Sequence, residues 1–598
     1  MRFLSLGVLT ALASMLAACS APPSQQVPGA LVVTESGRVT AIASGTEHPV
    51  LRWLDIPYAQ PPVADLRWRS PRRLEPSDSI VLPAEGPILC PQESGEMSGT
   101  DVDGIVGGED CLYLDIAAPS DYASRSYPVM FWIHGGGNTS GYKGSYDFSA
   151  LAAQEQVVVV TVNYRLGPLG WFTHPALEAA SSGLDASGNF GTLDIIAALE
   201  WTQRNIAAFG GDPDNVTIFG ESAGGRNVYS MLASPLSAGL FHKAIAQSPT
   251  LQSYSREQAY NAQGEFAQIN RGAWEVVDKL GMDNARVSSD DLRGTSIQDL
   301  LGQYFAIHKD HAEPLIVNDG AVIPGEGLIA ALGNERYAKH VPVMAGSNRD
   351  EVTLWLGLSR YFVDADETLF GLLPPKLRIR DPGVFDYWIK QRGRGWKVRA
   401  VDEALINLEQ AGYTDLYAYR FDWDEQADNW FVPFSKVLGA AHASEIAFVM
   451  GAPMYGSVGK YMYPDTESAR AMTSIMMAAW GEFARSGSPG IVADRSWPRF
   501  SADSAQVMVL DAGDDAVQVI NDSPGLGGLL DEVATSPGPL NATETCMLVW
   551  EILTAVADAN YGDYQRWQDG RCATIDVPSE KAAVRAALTQ KYGSADVF

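Results

Sequence analysis

The chain has 598 residues, 46% of them hydrophobic, which is enough apolar material for a large buried core. Its 43 basic and 72 acidic residues give a formal net charge of −29. That balance opposes binding to nucleic acid or any other polyanion and favours solubility.

The first 18 residues read as a targeting segment. Arg2 supplies a short positive start, and Phe3 to Ala18 is apolar but too short for a comfortable membrane span. It ends in Leu16-Ala17-Ala18-Cys19, which resembles the bacterial lipobox, where Cys19 becomes the lipidated first residue of the mature chain. An ordinary signal peptide cleaved nearby is the alternative. Residues 19–29, rich in Pro and polar side chains, read as a tether. The expectation is an exported bacterial lipoprotein on the outer-membrane or periplasmic side, touching a membrane only through that anchor. A secreted or periplasmic soluble protein is the alternative. With Cys19 assigned, Cys90, Cys111, Cys546 and Cys572 remain, an even number in an oxidising compartment. Three pairings are open. Nearness in sequence favours Cys90–Cys111 and Cys546–Cys572, each closing a loop of roughly twenty-odd residues worth about 3 kcal/mol in the chain-entropy model. A metal site is the rival, but no His lies near either pair.

Runs at Val129–Ile133, Val157–Val162 and Val216–Phe219 lack polar alternation, as expected of strands buried on both faces. Between them, residues 192–209 place Leu193, Ile196, Leu199, Trp201 and Ile206 at mixed three- and four-residue spacing, an amphipathic helix. The alternation predicts an α/β protein with a doubly wound, mostly parallel sheet and ligands at the carboxyl ends of its strands. Residues 30–522 form the main domain. Residues 523–545 read as a linker rich in Gly, Pro, Ser and Thr, and helical patterns at 546–569 and 579–592 complete a C-terminal appendage over 523–598.

Gly220-Glu221-Ser222-Ala223-Gly224 is the one G-x-S-x-G match, with a β-branched run before it and helix-compatible residues after it. That pattern presents a serine on a strained strand-to-helix turn. A serine hydroxyl needs a base to take its proton and an acid to orient the base, and in elbow proteins they follow in the order Ser, Asp or Glu, His. His242 belongs to the next sheet unit, leaving His308, His311, His340 and His442. His442 stands on the small-residue loop Gly439-Ala-Ala-His442, just before an apolar helical run. A capping or surface role is its plain alternative. Phe131-Trp-Ile-His134-Gly-Gly-Gly137 ends a buried strand in a glycine loop whose backbone N–H groups can approach an oxyanion closely.

These blocks resemble the type-B carboxylesterases, the α/β-hydrolase group that includes the cholinesterases. Ile56-Pro-Tyr-Ala-Gln-Pro-Pro62, Glu109-Asp-Cys-Leu-Tyr-Leu114, His134-Gly-Gly-Gly137, Asn163-Tyr-Arg-Leu-Gly167, Gly188-Asn-Phe-Gly191 and Gly210-Gly-Asp-Pro213 stand in that family's order, over most of residues 30–520. The resemblance implies an α/β-hydrolase fold, Ser222 as nucleophile, His442 as general base and Glu351, in Gly346-Ser-Asn-Arg-Asp-Glu351, as acid. It also implies an oxyanion hole made by the N–H groups of Gly136, Gly137 and Ala223, and supports the Cys90–Cys111 pairing. Val352 departs from the family's usual glycine, so Asp350 stands as a second candidate acid. No metal or cofactor is expected.

Asp101, Asn138 and Leu354 stand where cholinesterases carry aromatics, so the resemblance implies that choline esters, which need cation–π faces, are not substrates. Asn138, Leu354 and Trp355 are candidate pocket residues. The expected partner is a small or medium ester, hydrolysed through an acyl-enzyme, with activity falling below about pH 6–7 as the base protonates. A lipase or polymer-ester depolymerase with the same triad, and a non-catalytic adhesion protein on the same scaffold, are the competing readings.

Overall fold

The structure is a computed structural model that describes residues 26–44, 49–260, 272–307, 314–368, 373–513 and 517–597. The targeting segment with Cys19, and His308 and His311, lie outside the described residues. The main element is a thirteen-stranded sheet. Its long strands are β1 (Gln26–Thr34), β2 (Gly37–Ser44), β3 (Val50–Pro57), β4 (Tyr113–Pro119), β5 (Tyr127–Ile133) and β6 (Val158–Val162). They continue with β7 (Gly211–Glu221), β8 (Lys243–Gln247), β9 (Val343–Asn348), β10 (Leu416–Phe421), β11 (Gln506–Leu510) and β12 (Val517–Asn521). The spatial order is β1-β2-β3-β4-β6-β5-β7-β8-β9-β10-β11-β12, with the two-residue strand Ile80–Val81 added beside β2. From β6 to β11 every pairing is parallel, while the pairs between the long strands at both flanks are antiparallel. This is the α/β-hydrolase fold.

The apolar runs without alternation are explained by burial on two sides. Along β5, Val129, Phe131 and Ile133 enter one hydrophobic cluster and Met130 and Trp132 enter the other. β9 divides the same way, Val343 and Ala345 against Met344. Helices α1 (Phe190–Asn205) and α2 (Ala223–Ala233) cover the first face, and α4 (Glu467–Ser486) supplies Met472, Met476, Trp480 and Phe483 to the second. α1 starts two residues before the expected helix, and its last stretch, Ile206–Phe209, tightens into a 3₁₀ turn. Helix α3 (Pro382–Trp396) runs directly into a π-helix, Lys397–Asp402.

The C-terminal appendage differs from its sequence reading. The Gly-rich stretch expected as linker contains helix α5 (Gly525–Thr535), because Leu526, Leu529, Leu530 and Val533 recur at helical spacing and turn into a third hydrophobic cluster. The single pattern expected over 546–569 is two helices, α6 (Ala542–Thr554) and α7 (Tyr561–Gly570), followed by α8 (Val577–Tyr592). The break occurs where Val556 and Asp558 leave helical geometry to bond Leu251 and Ser253 of the main domain. The third cluster is shared: Val352, Phe385, Trp388 and Trp396 pack with Leu529, Val533, Leu548 and Ile552. Cys90–Cys111 and Cys546–Cys572 are both bonded.

Candidate active site

Ser222 follows directly from β7, at the carboxyl edge of the parallel strands, with φ 59° and ψ −120°. A non-glycine residue held in that region costs of order 1–3 kcal/mol and needs a rigid frame. The frame is built from close backbone contact. A Cβ on Gly220 would lie 2.6 Å from the Ile133 oxygen, and one on Gly224 would overlap that same oxygen. Both flanking glycines are therefore required by the packing of the elbow on the end of β5. The Ser222 N–H donates to Gln247 O at 2.9 Å, tying the turn to β8. Ala223 opens α2, so its N–H is among those a helix leaves without an internal acceptor.

Glu351 and His442 come from loops after β9 and β10. His442 Nδ1 lies 2.5 Å from Glu351 Oε2, and the other carboxylate oxygen accepts the Asn348 N–H at 2.8 Å. The Glu351 carboxylate is fully buried and held in two directions. Asp350 points elsewhere: it pairs with Arg349 at 2.7 Å and accepts the Ala440 N–H at 3.0 Å, fastening the loop that carries His442. His442 Nε2 faces the elbow, 3.1 Å from Glu221 Oε1 and without a hydrogen bond of its own. Burial alone would lower the imidazole pKa, but the Glu221 and Glu351 carboxylates outweigh it and push it up to about 9. Burial pushes the Glu221 carboxyl well above the usual range, His442 opposing, so the two groups titrate as a pair.

The glycine loop lies against the elbow: a Cβ on Gly135 would stand 3.3 Å from Ser222 Cβ. Gly136, Gly137 and Asn138 follow with φ of 91°, 62° and 57°. Three left-handed residues in succession curl the chain so that Thr139 and Ser140 both donate to Gly136 O at 3.0 Å. Next to the loop, burial holds the His134 imidazole down to about 4, so it is neutral; its ring stacks on Tyr164 at 4.4 Å.

The model of the carboxylesterase family matches residues 29–368 and 399–523. The chain belongs to this family. Para-nitrobenzyl esterase of Bacillus subtilis (strain 168) is 33% identical over 495 residues, covering 81% of this chain and 95% of that protein. Carboxylesterase 3 of Homo sapiens is 31% identical over 542 residues, 83% of this chain and 90% of that one. A solved PNB esterase structure superposes with TM-score 0.63 at 30% identity, covering 82% of this chain and 97% of that chain. This carboxylesterase is thus a serine carboxylic-ester hydrolase.

The surroundings of His442 in this carboxylesterase correct the expected pocket. Asn138 is fully buried, accepts hydrogen bonds from Asn227 at 2.9 Å and Tyr164 at 3.3 Å, and is not a pocket wall. An amide on a left-handed turn bordered by a tyrosine and a second amide satisfies its polar atoms internally. Leu354 is partly buried against Phe434, Leu438 and their neighbours. Trp355 is half exposed, with its ring centroid 5.1 Å from the His442 ring. Trp396, which sequence reasoning missed, lies 4.9 Å from the same ring and 6.1 Å from Trp355, the two indoles inclined by 11°. Nothing in its local pattern separates it from an ordinary core tryptophan. Glu221 and Glu445 were also missed; Glu445 is buried behind the site and accepts bonds from Asn348 and Gln247. A cavity of about 830 Å³, bordered by Asn348, Asp350, Gly393 and Gly439, adjoins the loops that carry Glu351 and His442 but reaches neither Ser222 nor His442.

Proposed function

We propose that Ser222, His442 and Glu351 form the catalytic triad, acting on small or medium esters through an acyl-enzyme. The observation that carries this reading is the 2.5 Å contact of His442 Nδ1 with Glu351, which leaves Nε2 facing the Ser222 elbow. His442 takes the Ser222 proton as Oγ attacks the ester carbonyl, and the N–H groups of Gly136, Gly137 and Ala223 receive the oxyanion. His442 then protonates the departing alcohol, and water activated by the same imidazole releases the acid. In this reading choline esters are not substrates, because Asp101, Asn138 and Leu354 stand where cholinesterases carry the aromatics that hold a quaternary ammonium.

The test is a panel of p-nitrophenyl esters of graded acyl length, with acetylthiocholine and an emulsified triglyceride included. Ser222→Ala should lose all activity while keeping its fold, and Glu351→Gln should lose about 10³–10⁴-fold in kcat. Undiminished turnover in Ser222→Ala rejects the triad, and preference for the emulsion makes the enzyme a lipase. For Cys19 we propose a lipid anchor, supported by the lipobox-like sequence alone. Cys19→Ala should release the protein from membranes; persistent membrane association refutes the anchor.

A further inference from the structure

Besides residues 1–28, two segments lie outside the family match: residues 369–398, which include α3 and Trp396, and everything after 523. They are built onto one another. Arg392 of α3 pairs with Glu551 of α6 at 2.7 Å, and Arg394 pairs with Glu532 of α5 at 2.7 Å. Trp396, at the end of α3, is therefore mounted on a helix whose outer partner is the appendage.

Trp396 has two fixings, and the appendage grips both. On one side, its indole N–H donates to Pro249 O at 2.8 Å. Just beyond Pro249, Leu251 N–H donates to Val556 O at 2.7 Å and Ser253 N–H to the Asp558 carboxylate at 2.8 Å. On the other side, Arg399 of the adjoining π-helix, itself buried, donates to the Ile552, Leu553 and Asp558 oxygens at 3.2, 2.9 and 2.9 Å. Two of these are carbonyls near the end of α6, where a helix leaves its acceptors unpaired and favours a cation. Trp355 is held from a third point: the Arg360 N–H donates to Ala595 O and the Val597 N–H to Leu358 O, both at 2.8 Å. The last residues of the chain thus brace the segment that follows Trp355.

We propose that the appendage is a substrate-specificity module that fixes the Trp355–Trp396 wall beside His442, selecting esters that carry a flat aromatic group able to stack on the exposed Trp355 indole. The inference rests on the triad reading given above. Aromatic stacking needs two rigid faces, and its energy depends on offset and tilt. A wall held at three points keeps that geometry, whereas a loose one accepts small aliphatic groups equally well. Arg399 touches no reacting atom and acts through the π-helix; it is a positioning residue.

The experiment compares ethyl benzoate with ethyl acetate, which share a small aliphatic leaving group and differ only in the aromatic acyl part, in the full-length enzyme with its disulfides intact. Arg399→Ala should lower the benzoate-to-acetate ratio of kcat/KM by about tenfold, mainly through a higher KM for benzoate, with acetate turnover changed less than about twofold. Arg399→Lys, which keeps the cation at the end of α6, should restore part of the ratio. Trp396→Ala should lower the ratio as Arg399→Ala does, and the double variant should add little. An equal fall on both esters in Arg399→Ala, or an unchanged ratio, overturns the proposal. If Arg399→Ala does not fold, Asp558→Asn, which loosens the Ser253 fixing, must move the ratio in the same direction or the proposal fails. Loss of Ser222 dependence would instead reject the triad reading, and the two failures are distinguished by Ser222→Ala assayed alongside.

Discussion

Glu221 occupies one of the two positions that the five-residue elbow pattern leaves unspecified, yet it faces the base directly. Its carboxylate stands 3.1 Å from His442 Nε2, and with Glu351 it raises the imidazole to about 9. A base acts only when neutral; a pKa raised above the ordinary 6.5 moves the loss of the His442 proton to higher pH, so kcat/KM should climb as pH rises above that value. Glu221→Gln removes the charge and keeps the shape, so the acid limb should move down by about one pH unit. A pH–rate profile with the same midpoint in both proteins would show that Glu221 does not set the base. At this scale the sequence was partly legible. Ser222, Glu351 and His442 could be singled out because their chain order and loop surroundings are local features. The inward turn of Asn138 and the place of Trp396 were not legible, because a side chain's direction, into the core or into a pocket, depends on neighbours far away in the chain.

Among elements, the strand–turn–helix around Ser222 shows how a local pattern depends on a distant partner. The glycines of the elbow are required by the oxygen of Ile133, nearly ninety residues earlier, at the end of the neighbouring parallel strand. Gly224→Ala would drive a methyl group into that oxygen. It should cost about 1–3 kcal/mol of stability and reduce kcat by more than about tenfold, since the glycine loop leaves β5 at the same point. Thermal unfolding together with active-site titration checks this, and a variant with native stability and full turnover would contradict the packing account. The strands were legible because burial on both faces removes alternation. Helix α5 was not, because glycines at Gly525, Gly527 and Gly528 hide its apolar spacing and only the third cluster supplies the energy that orders it.

For the whole molecule, the joint between appendage and main domain depends on Glu551, which accepts Arg392 at 2.7 Å and Lys581 at 2.9 Å. Burial alone would raise its pKa; the two cations override that and hold it at about 2. A depressed carboxyl contributes stability that is complete above its ordinary value of 4.5 and is lost as pH falls through about 2. Glu551→Gln should therefore destabilise the protein by about 2–3 kcal/mol at neutral pH, a difference that shrinks on acidification through that window. Equal stability of the two proteins at pH 7 would show that the pair does not hold the appendage. Similar buried pairs hold the charged residues of two of the sequence blocks: Arg165 pairs with Asp194 of α1, and Glu109 pairs with Arg67.

The amino-acid sequence by itself determined the fold class, the elbow, the order of the candidate triad and the glycine loop, because each is written in short-range spacing or in blocks that stand in one order. Only the tertiary structure decided what surrounds His442. Glu221, Trp355 and Trp396 converge on that ring from three separate stretches of chain, and the appendage reaches back to residues 251–253 and 358–360. Contacts between residues hundreds of positions apart leave no periodic trace. They exist because the sheet and its shared clusters bring those stretches together, and burial then sets the charge and the shape of the site.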